Sequence, residues 1–130
     1  MDSTKPLILL VEDDDIDAFI VNTMLPKFCK ECDIKRVKNG AEATEYFKNS
    51  ENRRPSVVLL DLIMPFMNGK EFLTEMEKEG ALKQLPVVVL SSSSSFYDRQ
   101  ECADLGVAKY FVKPLTPDIS KEILQMASVA

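Results

Sequence analysis

LILLVEDD, residues 7–14, is an apolar run of five residues that ends directly on three acids. No polar residue alternates through the run, so it reads as a strand covered on both faces, as in the middle of a parallel sheet. Ending such a strand on carboxylates does more than build a core, because it collects acids at one edge of the sheet. The same design recurs along the chain. VVLLD (57–61) ends an apolar run on an acid, and YFVKP (110–114) ends one on a lysine before proline. Val87–Leu90 is a further apolar run and is followed by Ser91. Ile34–Val37 carries Lys35 and Arg36 and reads as an edge strand. Tyr110–Val112, short and flanked by Lys109 and Lys113, reads as the opposite edge.

Helical patterns separate these strands. Ile16, Phe19, Ile20 and Met24 fall on one face of a first helix, which Pro26 ends or bends. Asn39-Gly40 leads into a second helix with Ala43, Tyr46 and Phe47 in register. Phe72, Leu73 and Met76 mark a third, with Gly80 as its C-terminal cap. A fourth, from about Phe96 to Leu105, has a weak apolar face and stops at Gly106. The fifth, from about Pro117 to Ser128, turns Ile119, Ile123, Met126 and Ala127 inward. Five βα units with right-handed crossovers predict an α/β fold: a doubly wound, flavodoxin-like (βα)5 sandwich with parallel sheet order 2-1-3-4-5. Residues 1–130 read as a single domain without linker, repeat or output domain. Ligands are expected outside the C-terminal ends of the central strands.

Composition removes several function classes. A net charge of −5 opposes direct nucleic-acid binding, which needs a basic footprint. No apolar run approaches the roughly 20 residues of a membrane span, and MDSTKP lacks the form of a signal peptide, so a cytoplasmic location is expected. There is no histidine, which excludes histidine triads, histidine general bases and a phosphohistidine of the chain's own. Cys29 and Cys32 form a CxxC, but Cys102 is the only other cysteine. A complete zinc site would need an unusual carboxylate, so the pair reads as two free thiols near a helix end.

The predicted topology brings Glu12, Asp13, Asp61, Ser91 and Lys113 to one edge. Three neighbouring carboxylates repel one another, and Mg²⁺ (or Mn²⁺ in its place) relieves that repulsion with the oxygen ligands it prefers. Asp61 is then placed to attack phosphorus, with Lys113 and the Ser91 hydroxyl available to phosphoryl oxygens. Asp14, Asp15 and Asp17 are accounted for as helix N-terminal acids favoured by the macrodipole.

VEDD, DLIMPFMNG, PVVVLSSS and GVAKYFVKP, in this order, resemble the receiver domain of two-component response regulators, of the stand-alone chemotaxis-regulator-like type. The resemblance covers essentially the whole chain. It implies that Asp61 is the phosphoacceptor, charged by a sensor histidine kinase or a phosphotransfer protein. Glu12 and Asp13 would be the Mg²⁺-binding acidic pair, with the backbone carbonyl of Ile63 as a further ligand. Ser91 would be the switch hydroxyl, Tyr110 the switch aromatic, and Lys113 the phosphate contact, joined to Pro114 by the cis bond usual in the family. Glu12 stands where aspartate is commoner and Ser91 where threonine is common; both keep the needed oxygen. Ile63 and Ser93 occupy positions that tune acyl-phosphate lifetime, and Ile63, unable to activate water, implies a slow reset. Ser94 or Ser95 is expected to cap the fourth helix, leaving a mobile serine loop before it.

The expected function is therefore signalling through phosphorylation-dependent binding of a downstream protein, by a monomer or weak homodimer and not by an enzyme. A relay that passes the group to a histidine phosphotransfer protein is the alternative, as is a degenerate docking module. A haloacid dehalogenase-type phosphatase needs a second acid two residues after the nucleophile, where this chain has Ile63. A flavin carrier needs a hydroxyl-rich phosphate loop where this chain has EDDD.

Overall fold

A computed structural model describes residues 5–80 and 84–127 of the chain. Its element order is β1 (Leu7–Val11), α1 (Asp15–Met24), β2 (Asp33–Val37), α2 (Gly40–Lys48), β3 (Val57–Leu60), α3 (Gly69–Lys78), β4 (Val87–Ser91), α4 (Phe96–Asp104), β5 (Lys109–Val112) and α5 (Pro117–Ala127). The five strands form one parallel sheet in the order β2-β1-β3-β4-β5, as the alternation of apolar runs and helical patterns predicts.

The strands β1, β3 and β4 are buried along their whole length. Because successive side chains point to opposite faces, each strand feeds two cores. Leu9, Val11, Val58, Leu60, Val87 and Val89 pack on one face with Ala43, Phe72, Leu73, Met76 and Cys102. Ile8, Leu10, Val57, Leu59, Val88 and Leu90 pack on the other with Ala18, Val21, Leu25, Ile123, Leu124 and Ala127. The pairing Val11↔Leu60, Leu60↔Val89 and Ser91↔Val112 puts the strands' C-terminal ends nearly level, which aligns the residues that follow them.

Capping chemistry fixes where the helices begin. Asp14 accepts from the N–H groups of Ile16 and Asp17, and Asn39 from that of Glu42. Asn68 and Glu71 form a reciprocal capping box, and Ser95 caps α4. Gly80, with φ 70, follows α3 in the left-handed region that favours glycine. Pro26 lies in a single 3-10 turn, Leu25–Lys27, immediately beyond α1.

Two expectations are corrected. On α1, Ala18 and Val21, continued by Leu25, are buried and Ile20 and Met24 pack half-buried beside them as expected, while Ile16 and Phe19 are 72% and 69% exposed. Small Ala18 lets the helix lie close to the sheet, and this rotates the Ile16–Phe19 stripe outward. α5 turns Ile119, Ile123, Met126 and Ala127 toward the core as expected, and it also buries Ser120 and Leu124. The Ser120 hydroxyl satisfies itself by donating to the Thr116 carbonyl at 2.8 Å. The expected end of this helix, Ser128, lies outside the described residues. Finally, Cys29 and Cys32 are not free thiols but a disulfide, their Cα atoms 5.6 Å apart. The turn from the end of α1 into β2 folds back on itself, which a spacing in sequence does not reveal.

Candidate functional site

The sheet itself places the site. Ladder hydrogen bonds continue one residue beyond the strands: the Glu12 N–H donates to the Val37 carbonyl, Asp61 N–H to Val11 and Lys113 N–H to Ser91, at 2.8–3.0 Å. Glu12, Asp61 and Lys113 are therefore held by backbone at the same edge before any side-chain contact forms. Glu12, Asp61 and Ser91 are buried, and Asp13 is half-buried.

The Lys113 ammonium stands among three carboxylates, donating to Asp17 at 2.6 Å, Glu12 at 3.0 Å and Asp61 at 3.4 Å. Burial penalises this charge, but the bonds to Asp17 and Glu12 and the charge of Asp61 outweigh it and hold the lysine's pKa above its ordinary value. Burial also acts on Glu12 and, with the charge of Asp61, pushes its carboxyl from 4.5 up to about 7, against the pull of Lys113 and the Asp14 N–H. One amine does not balance so many acids. Oxygens of Glu12, Asp13 and Asp61 lie within 4.8 Å of one another, and Asp61 Oδ1 is buried without a hydrogen-bond partner. A buried, unpartnered carboxylate oxygen beside two further carboxylates is the donor set that a hard divalent cation takes.

Several loops support this edge. Arg36 donates to the carbonyls of Glu12 (2.9 Å) and Asp13 (3.0 Å) and pairs with Asp15 at 2.9 Å, which steadies the acidic loop from the edge strand. A Cβ on Gly69 would lie 2.6 Å from the Asp61 carbonyl oxygen and 2.7 Å from Leu62 Cα, so the loop after Asp61 closes on it only with glycine there. Met64 is buried, whereas Ile63, two residues beyond Asp61, is 65% exposed. The Lys113–Pro114 bond is cis.

Ser91 Oγ accepts from the Ser93 N–H at 3.2 Å. The serine run is not a loose loop, contrary to expectation. The Ser93 hydroxyl donates to Asp98 and accepts from the Ser95 N–H, and its carbonyl accepts from the Tyr110 hydroxyl at 2.8 Å. Asp98 is paired in turn with Lys70 of α3 at 2.5 Å, and Lys70 also reaches Glu101 at 2.7 Å. Hydrogen bonds from Lys70 and then Ser93 hold the Asp98 carboxyl below its usual range. Tyr110 is half-buried against the core, with the Arg99 guanidinium 4.9 Å from its ring centre.

The residues expected to meet do meet: Glu12, Asp13, Asp61 and Lys113 form the pocket, and Ser91 and Tyr110 are connected through Ser93. Asp17 was missed, because its spacing within α1 is that of an ordinary first-turn acid. Arg36 and the Lys70–Asp98 pair were also missed; each is a long-range contact without a local signature. A cleft of about 360 Å³ opens beside the site, lined in part by Asp17, Ile20, Ser92 and Leu115.

Comparison with known proteins agrees with this geometry. The family model for the response regulator receiver domain matches residues 8–125. The chain is 32% identical over 113 residues to the probable methanogenesis regulatory protein FilR2 of Methanothrix harundinacea, covering 85% of this chain and 73% of that protein. A two-component response regulator from Legionella pneumophila superposes with a TM-score of 0.86 at 28% identity, covering 97% of this chain and all of that one. The Mn²⁺-bound form of response regulator Rcp1 superposes with a TM-score of 0.81 at 29% identity, covering 95% and 93% of the two chains.

Proposed function

This chain belongs to the response regulator receiver family of two-component systems, and from that premise we propose that it accepts a phosphoryl group on Asp61. The donor is the phosphohistidine of a sensor histidine kinase or phosphotransfer protein, and the listener is another protein. The observation that carries the reading is the pocket at the sheet edge, where Asp61, with one oxygen unpartnered, lies between two acids and an ammonium.

The chemistry is in-line displacement. An Asp61 carboxylate oxygen forms a bond to phosphorus as the donor's P–N bond breaks, and the imidazole keeps that electron pair and takes up a proton. Glu12, Asp13, Asp61 and the Ile63 carbonyl would hold Mg²⁺, which when bound neutralises phosphoryl oxygens. Lys113 is already 3.4 Å from Asp61 and needs only to exchange a carboxylate partner for a phosphoryl oxygen. The buried Ser91 hydroxyl accepts from the Ser93 N–H, so its shift toward the same group would pull on that bond. Its movement would therefore be felt at Tyr110, which is bonded to Ser93, and at the surface of α4 and β5. That couples the charge on Asp61 to a protein-binding face.

The test is incubation with a small phosphodonor such as acetyl phosphate, with Mg²⁺ or with EDTA, read by intact mass and phosphate-affinity gel. One acid-stable, base-labile adduct is expected with Mg²⁺ only, and none in Asp61→Asn. Labelling that persists in Asp61→Asn, or a wild-type protein that stays unlabelled with Mg²⁺, overturns the reading.

A further inference from the structure

The Cys29–Cys32 pair lies at the other end of the molecule and takes no part in phosphoryl chemistry. It closes the turn between the end of α1 and the start of β2, where the Cys29 N–H bonds to the Leu25 carbonyl and the Asp33 N–H to Pro6. Both cysteines are partly exposed and pack at the rim of the core formed by Leu25, Ile123 and Leu124. Cys29 lines an open cleft of about 340 Å³ with Phe28, Lys121, Glu122, Leu124 and Gln125, so a small thiol has a route to sulfur. The α5 side of that cleft leans on the turn itself, with Lys121 Nζ 5.5 Å from the Phe28 ring centre.

We propose that Cys29 and Cys32 are a reversible dithiol–disulfide couple that exchanges with low-molecular-weight disulfides and adjusts the packing of the C-terminal half of α5. Three observations favour exchange over an inert crosslink or a metal site. A ring of so few residues removes little freedom from the unfolded chain compared with a long loop, so stabilisation is a poor reason for it. Among the described residues the only cluster of three or more metal-ligating side chains is at the phosphoryl site, so the sulfurs have no further ligands. Cys102 is fully buried on the opposite face of the sheet, its thiol pushed by burial up to about 11, so it neither competes for the pair nor scrambles it.

The exchange balances without another reagent. One cysteine thiolate attacks a sulfur of the external disulfide and expels a thiolate. The second cysteine attacks the resulting mixed disulfide at the protein sulfur and expels the other. Two protein thiols are oxidised and the external disulfide is reduced to two thiols. Closure holds Cys29 at the rim of the core that contains Leu124, and opening releases it.

The native protein is equilibrated in glutathione buffers from reducing to oxidising, alkylated, and mapped by mass. Cys29 and Cys32 are expected to lose and regain alkylation together, without a lasting glutathione adduct, while Cys102 stays unmodified until the protein is denatured. Amide exchange of 28–33 and 121–126 should quicken several-fold in the reduced protein, and Cys29→Ser with Cys32→Ser should show the same rates in either buffer. A lasting glutathione adduct on one cysteine, or a disulfide that native protein keeps under reducing glutathione, overturns the couple. Equal exchange rates in the two redox forms overturn its effect on α5.

Discussion

Glu12→Gln tests the electrostatics of the cation-free site most directly. Glu12 is 3% exposed, and burial, followed by the Asp61 charge, raises its carboxyl from 4.5 to about 7. An acid raised on folding holds its proton more tightly in the native protein than in the unfolded chain. Between pH 4.5 and 7 the native state therefore binds the extra proton, so stability falls as pH rises through that window, and the full penalty is present above it. At about 1.4 kcal/mol for each pH unit of that gap the penalty is at most about 3 to 4 kcal/mol. Because the site opens onto a cleft, solvent screening brings it to roughly 2 kcal/mol. Urea unfolding in EDTA, followed by circular dichroism since the chain has no tryptophan, gives stability for wild type and variant from pH 4.5 to 8.5. Their difference is the quantity of interest, because other titrating groups cancel in it. Wild type should lose about 2 kcal/mol relative to Glu12→Gln across the window and then level off. Saturating Mg²⁺ should shrink that loss, because the ionised carboxylate gains a partner. A difference that stays flat, or that rises with pH, refutes the reasoning.

Three further outcomes are expected. Ile63, exposed two residues beyond Asp61, cannot activate water, so Ile63→Asn should shorten the life of the Asp61 phosphoryl adduct several-fold in a decay assay; equal or slower decay contradicts this. Lys70→Met releases Asp98 and with it Ser93, the residue that detains the Ser91 hydroxyl. If the two surface pairs contribute about 0.5–1 kcal/mol, labelling by acetyl phosphate should quicken roughly two- to fivefold, and an unchanged rate excludes the coupling. On α1, Val21→Ala should cost about 1–2 kcal/mol in urea unfolding while Phe19→Ser stays within about 0.5 kcal/mol. The reverse ranking would restore the face that apolar spacing alone suggests.

The fold was legible because the informative residues are consecutive. Leu7–Val11, Val57–Leu60 and Val87–Leu90 leave no polar position to face water, and only a doubly covered sheet suits three such runs. The site was legible for the same reason: Glu12, Asp61, Ser91 and Lys113 stand at the ends of strands, and topology alone brings strand ends together. The rotation of α1 was not legible. Ile16 and Phe19 share helical spacing with Ile20 and Met24, but Ala18, Val21 and Leu25 have it too, and the sheet's surface turns only Ile16 and Phe19 outward. The same rotation decides that Asp17 meets Lys113. The CxxC spacing was visible in the sequence, while the fold of the turn that closes it was not. Nothing local marked Ser93 as a bonded hub, since its partners Asp98 and Tyr110 come from α4 and β5.

The contact between Lys113 and Glu12 joins residues 101 positions apart. Glu12 and Asp13 follow the first strand, and the amine follows the last. During synthesis, a chain arrested before β5 would present mutually repelling carboxylates with no ammonium among them. Such a fragment would hold Asp61 but not the Lys113 charge proposed to meet a phosphoryl oxygen. Under the proposed function, competence to accept a phosphoryl group would therefore arrive only once β5 and Lys113 have been made.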